Sequence, residues 1–153
     1  MSKETFWNRM EDVRAAMLAI GEVQHVPMSP YADAKDGAIW FITAQGTDMV
    51  DAIQGGAAKA SLIVTGSDDL HARIEGNATL SQDRAKLEEL WNPIAERWFE
   101  DGIEDPDIRL IRMDPIYAEV WATKGVMGFM FQIAKAKLTG DRPDMGEHFT
   151  LHF

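Results

Sequence analysis

Between Leu70 and Leu80 every second residue from Ala72 onward (Ala72, Ile74, Gly76, Ala78 and Leu80) is small or apolar, with polar residues in the intervening places. A period of two belongs to a β-strand, and a face made of small residues calls for close packing against another layer. The same period runs through Asp114 to Thr123, DPIYAEVWAT, where Tyr117, Glu119 and Trp121 share one face and Ala118, Val120 and Ala122 the other. Trp121 is thereby set among polar neighbours. A tryptophan so placed closes the edge of a core or offers a flat surface to a planar ligand.

Other strands follow from composition and punctuation. Ala38 to Thr43, AIWFIT, is a short apolar run of strand-forming residues after Asp36-Gly37; Ala60 to Thr65 is another, and Gly66 to Asp69 turns the chain into Leu70. Ile108 to Met113 and Tyr117 to Thr123 read as two strands joined at Asp114-Pro115. Near the start, Phe6, Met10 and Val13 recur at helical spacing. That helix either continues through Ile20 to stop at Gly21, or gives way to a strand Met17–Ile20 that turns at Gly21-Glu22 and returns as Val23–Met28. In the second case Pro27 demands an edge or bulged position.

Three further helices carry start and stop signals. Thr47 suits the N-cap of a short helix bearing Met49, Val50 and Ile53, ended by Gly55-Gly56. Ser81 can cap a helix carrying Leu87 and Leu90, and Pro93 breaks it, with Asn92-Pro93 supplying a new cap and a first-position proline. A last helix spans about Phe129 to Leu138 and ends before Gly140. Strands in meander order with helices at the start, middle and end predict an α+β protein, an antiparallel barrel with peripheral helices, as one domain over 1–140 followed by a tail over 141–153.

Charge narrows the partners. With 25 acidic against 15 basic residues the net charge is −10, so the molecular field repels phosphate backbones and anionic lipid; neither nucleic acid nor a membrane is expected as a partner. No apolar run is long enough to span a bilayer, and the start, MSKETFWNRM, lacks the continuous apolar stretch of a secretory leader. The chain has no cysteine, which removes thiolate chemistry and fits a cytoplasmic protein. The acidic run Glu100–Asp107, EDGIEDPD, lacks the spacing of a calcium loop and reads as a solvated connection. His25, His71, His148 and His152 show no ligand spacing on a common element, so no metal is expected. Glycine-rich phosphate loops and the nucleophile elbow of triad hydrolases are absent as well. Arg97 reads as a surface residue, and Trp91, Trp98, Phe99 and Phe129 as core or dimer contacts.

The succession of these segments is specific. Pro27-Met28, AIWFIT, the pair AKASLIV and LHARIEGNATLSQD, then LEELWNP followed by WF, and RMDP followed by AEVWAT, in this order, resemble the bacterial general stress proteins of the pyridoxamine 5'-phosphate oxidase superfamily over nearly the whole chain. The resemblance implies a six-stranded antiparallel split β-barrel that forms a homodimer with FMN in clefts between subunits. By matching position it implies that Thr43 lies along the flavin with Phe41 and Ile42, that Met28 stands beside the ring, and that Thr47 marks the phosphate end. His71 falls near a glutamine that reaches the flavin in the oxidase branch, and Trp121 matches the family's C-terminal tryptophan.

The departures bear on the same site. The family's Arg-Pro-Met reads Val26-Pro27-Met28, and the lysine expected after Thr47 is Met49, with Asp48 adding a like charge. Each lost charge-assisted hydrogen bond costs about 1.5 to 3 kcal/mol. FMN is therefore expected to bind weakly unless Lys59, Arg73 or the amides at the start of the Thr47 helix substitute. The substrate-holding residues of true oxidases are replaced by LEELWNPIAERWF, which disfavours oxidation of pyridoxamine phosphate. The expected function is a dimeric FMN-binding protein of the general stress type in which the flavin itself carries any electron transfer, the chemistry of a flavin-dependent oxidoreductase. The alternatives are a protein using the same cleft for another planar ligand, such as a tetrapyrrole or deazaflavin, or a non-catalytic interaction protein.

Overall fold

Eight antiparallel strands form one sheet that curls into a half-barrel, with helices set around it. The structure, a computed structural model, describes residues 3–67, 69–123, 126–142 and 146–153. In chain order the elements are α1 (Lys3–Met10), β1 (Ala16–Ile20), β2 (Val23–Met28), β3 (Tyr31–Asp33), β4 (Ala38–Ala44), α2 (Asp48–Gln54), β5 (Lys59–Ser67) and β6 (Leu70–Ser81). They continue as α3 (Arg84–Leu90), α4 (Pro93–Trp98), β7 (Ile108–Thr123), α5 (Val126–Thr139) and β8 (Gly146–His152). The strands lie in the order β2-β1-β5-β6-β7-β4-β3, and β8 pairs with β7. Among the described residues no helix is long and apolar enough to cross a membrane.

The first ambiguity resolves as the hairpin. β1 and β2 pair around Gly21, whose φ of +57° favours glycine and where an added Cβ would lie 2.8 Å from the Ala57 side chain. β2 ends the sheet order, the edge position that Pro27 requires. The alternation in β6 is as expected: Leu70, Ala72, Ile74 and Ala78 are buried and Arg73, Glu75, Asn77 and Thr79 exposed. Gly76 is forced by close approach, since a Cβ there would stand 2.2 Å from the Asp114 carbonyl oxygen.

Three expectations are corrected. Asp114-Pro115 does not separate two strands: β7 runs unbroken for 16 residues, and a bulge on β7, with Ile116 as the extra residue opposite Glu75 and Gly76 of β6, accommodates the proline. The segment after residue 140 is no mere tail, for β8 pairs with Tyr117–Thr123 and continues the edge that β4 occupies along Ile108–Met113. Asp83, not Ser81, caps α3 by accepting from the Lys86 amide at 3.0 Å, while Ser81 Oγ accepts from the Asp83 amide. Asn92 caps α4 as expected, accepting from the amides of Ile94 and Ala95. Thr47 caps α2.

Two apolar clusters result. The larger lies inside the curl, where Leu18, Ile39, Phe41, Leu62, Ile74, Ile111 and Met113 are fully buried beneath α1. Phe6 and Trp7 of α1 meet the ring of Phe153 at 5.4 and 5.9 Å between centroids, so the two ends of the chain close one aromatic cluster. The smaller cluster, around Trp40, Leu87 and Leu110, lies on the other face of β4 under α3 and α4.

Candidate functional site

The sheet leaves a cleft of about 460 Å³ where the end of β2, the end of β4 and α4 converge. Period-two alternation sends Ile39 and Phe41 into the main core and leaves Ile42, with Thr43 at the strand end, to face the opening. Pro27, Met28 and Ser29 form one wall and Ile94, Ala95, Trp98 and Phe99 the other, with Tyr31 between. Thr47 stands at the rim, its hydroxyl donating to the Ala44 carbonyl at 3.0 Å and accepting from the Val50 amide. Asn92 Nδ2 donates to Tyr31 Oη at 2.8 Å, which ties the α4 wall to β3.

Four residues expected at a flavin, Met28, Ile42, Thr43 and Thr47, are thus brought together. Phe41 is not: it is fully buried in the core, so its side chain does not line the cleft. His71 and Trp121 lie elsewhere, as a directly opposed pair on β6 and β7. Their row extends to His148 of β8, whose ring stacks on Trp121 at 5.0 Å and 6°. In the next row Arg73 donates to Glu119 at 2.6 Å, and Glu119 also lies 2.9 Å from His148 Nε2. Tyr117, Glu119 and Trp121 therefore do share the polar face, but one face of the Trp121 indole is covered by its own chain.

None of the described residues lining the cleft is charged. Met49 is 4% exposed and packs into the main core, so position 49 points away from the opening; Val26, at 38%, lies beside the Pro27-Met28 wall. Neither Lys59 nor Arg73 lines the cleft, and Arg73 is paired with Glu119. The first turn of α2 carries Asp48 and Asp51, which already satisfy the positive end of that short helix. The lining is mainly apolar, with the hydroxyl-bearing residues Ser29, Tyr31, Thr43 and Thr47 among it. Among the described lining residues none brings a cation to a phosphate.

Sequence reasoning missed Tyr31, Ile94, Trp98 and Phe99 as lining residues. The signal was present in α4, where Ile94 and Trp98 stand four apart and are 68% and 80% exposed, against the rule that large apolar side chains turn inward. Beneath the α3 side of the molecule lies one buried charge, Lys86, which meets Asp33 at 2.6 Å, Asp36 at 2.7 Å and Glu89 at 3.1 Å. Burial pulls its ammonium down, but the hydrogen bonds to these three carboxylates outweigh burial and hold it above the ordinary lysine value. The bond from Lys86 in turn holds Asp33 below the usual carboxylate range, against the opposing effect of burial. Among the described residues no group of His, Asp or Glu could hold a metal ion.

The pyridoxamine 5'-phosphate oxidase-like family model matches residues 1–144. A general stress protein 26 from Jannaschia sp. CCS1 is 42% identical and superposes with a TM-score of 0.90, covering 98% of this chain and 97% of its own. The general stress FMN/FAD binding protein of Xanthomonas citri is 28% identical, with a TM-score of 0.69 over 80% of this chain and 89% of its own. The general stress protein 26 of Bacillus anthracis, at 19% identity and a TM-score of 0.67 over 77% and 92%, shares the fold. No curated protein matches. Fold, segment order and a 42% identical relative over nearly the full length agree, and the chain belongs to the pyridoxamine 5'-phosphate oxidase-like split-barrel family, in its general stress protein branch.

Proposed function

We propose that the protein binds a flavin through its isoalloxazine ring in the cleft between β4, the end of β2 and α4, and works as a homodimer. The observation that carries this is the convergence of Met28, Ile42, Thr43 and Thr47 on one opening walled by Trp98 and Phe99. The Xanthomonas citri relative, described as FMN/FAD binding, supports the ligand class. A bound flavin would supply the electron transfer of an oxidoreductase, and the residues present would hold and shield its ring. Trp121 belongs to this site only if a second copy brings it to the cleft, and the dimer is part of the proposal for that reason.

The uncharged lining also favours a second reading, in which the cleft takes another planar ligand without a phosphate, a tetrapyrrole or deazaflavin. Titration of the purified protein with riboflavin and with FMN, followed by tryptophan fluorescence, tests the first. Comparable weak affinities are expected, with quenching by both, because the ring and not the phosphate is gripped. No quenching by either would remove flavin as the ligand. FMN binding far tighter than riboflavin would show that a cation reaches the phosphate from outside the described lining.

A further inference from the structure

The hydroxyls around the cleft are not equivalent. Thr47 donates its proton to the Ala44 carbonyl at 3.0 Å and accepts from the Val50 amide, so its hydrogen is already used inside the chain. Ser29 and Thr43 carry aliphatic hydroxyls, which turn about their bond and suit whatever lies beside them. Tyr31 is different, because its oxygen is held from one side.

The group that holds it is Asn92, whose side-chain amide can be oriented in one way only. Its Oδ1 accepts from the backbone amides of Ile94 and Ala95, at 3.0 and 3.1 Å, and a backbone amide can only donate. The Nδ2 end is thereby fixed, with one hydrogen going to the Leu90 carbonyl at 3.1 Å and the other to Tyr31 Oη at 2.8 Å. Since Nδ2 brings hydrogens and no acceptor, Tyr31 accepts in this bond and does not donate. Its own proton is left over. No acceptor for that proton stands among the described residues, while Tyr31 itself lines the cleft.

The ring is also fixed from behind. Tyr31 pairs with Trp40 across β3 and β4, its side chain packs against the cluster around Trp40 and Leu87, and two residues further on Asp33 is held by Lys86 at 2.6 Å. A donor immobilised before its ligand arrives loses little freedom on binding. In an opening lined mainly by apolar side chains, that donor counts against any occupant that covers it and cannot accept from it.

We propose that Tyr31 is the specificity-determining donor of the cleft: its phenolic proton goes to a carbonyl oxygen or imine nitrogen on the edge of the planar ligand, and rings without such an acceptor are discriminated against. That this ligand is a flavin, which bears both kinds of acceptor, rests on the function proposed above; the direction of the Asn92–Tyr31 hydrogen bond does not.

Three neutral probes test it: riboflavin; prodan, a naphthalene ketone whose emission moves to the red when its carbonyl accepts a hydrogen bond; and N-phenyl-1-naphthylamine, which has neither carbonyl nor imine. Each is titrated into the natural full-length protein, Tyr31→Phe and Asn92→Asp, all shown to be folded by circular dichroism. Tyr31→Phe removes the donor alone. Asn92→Asp keeps the cap of α4, since a carboxylate accepts from the same two amides, but it turns the group facing Tyr31 from donor into acceptor and draws the phenolic proton away from the cleft. Both variants are expected to bind riboflavin and prodan about fivefold more weakly, to shift bound prodan to the blue, and to leave N-phenyl-1-naphthylamine unchanged. Equal losses for all three probes, which a merely structural wall would give, overturn the proposal, as do an unchanged prodan emission in either variant or no binding of either acceptor probe by the natural protein. Prodan that responds as expected, beside riboflavin that does not bind, leaves the donor standing and removes the flavin. Riboflavin that binds the natural protein and both variants equally keeps the flavin and removes the donor.

Discussion

At the scale of single residues, two positions decide the most. Val26 stands where the sequence resemblance sets an arginine, and it is 38% exposed next to Pro27 and Met28 of the cleft wall. Val26→Arg should raise FMN affinity about tenfold while leaving riboflavin nearly unchanged, because one charge-assisted contact is added to a phosphate that riboflavin lacks. Calorimetry with both ligands checks it, and an equal gain for both would mean that the new guanidinium does not meet the phosphate. A matching lysine at 49 is not a useful repair, since Met49 is buried in the core and an ammonium there would lie unpaired. Lys86 is the second position. Lys86→Met should cost about 2 kcal/mol in urea unfolding at pH 7, less than for a fully buried pair because Asp33 and Asp36 keep some solvent. The sign of its pH dependence follows from the two shifts. Asp33, depressed in the fold, contributes stability that is present above its ordinary 3.8 and lost as pH falls through its lower folded value. Lys86, raised in the fold, contributes stability that is fully present below its ordinary 10.5 and lost as pH rises through its higher folded value. The variant should therefore lose stability less steeply than the natural protein below about pH 4 and above about pH 10.5; parallel curves would show that the cluster carries no linkage.

At the scale of elements, what could be read from the chain followed local chemistry. The Thr47 and Asn92 caps, the Gly55 stop and the alternation of β6 are each set by a few neighbouring residues, and all stand where the sequence placed them. β8 was illegible because only Leu151 of its seven residues is buried and its partner lies some 30 positions earlier. β3, three residues long and half-buried throughout, gives no period to detect. The continuity of β7 depends on a bulge at its own Ile116, set by the pairing with β6 and not by Asp114-Pro115 alone. Phe41 turns its side chain into the core, while Ile42 and Thr43, at the end of the strand, line the opening. The α4 wall depended on tertiary placement. The tight meeting of β6 and β7 yields an element-scale prediction. Gly76→Ala should destabilise the protein by more than 2 kcal/mol, since its Cβ would sit 2.2 Å from a backbone oxygen that cannot swing aside. Thermal unfolding measures it, and a shift of under a degree would mean that the two strands can part cheaply.

At the scale of the whole molecule, surface that is apolar and exposed recurs on separate elements: Met17 on β1, Ile94 and Trp98 on α4, Ile116 on β7, Met130, Phe131 and Leu138 on α5. Light scattering at micromolar concentration should accordingly give about twice the 17.1 kDa chain mass, and a stable monomer there would count against any cleft shared between subunits. The aromatic cluster of Phe6, Trp7 and Phe153 has a different consequence, one of timing. Nearly 150 positions separate Phe6 from Phe153, whose amide is anchored to the Ile116 carbonyl at 3.0 Å. A contact closing so long a loop costs chain entropy before it returns any stability, so this cluster belongs to the late steps of folding, after the hairpins of the sheet have formed.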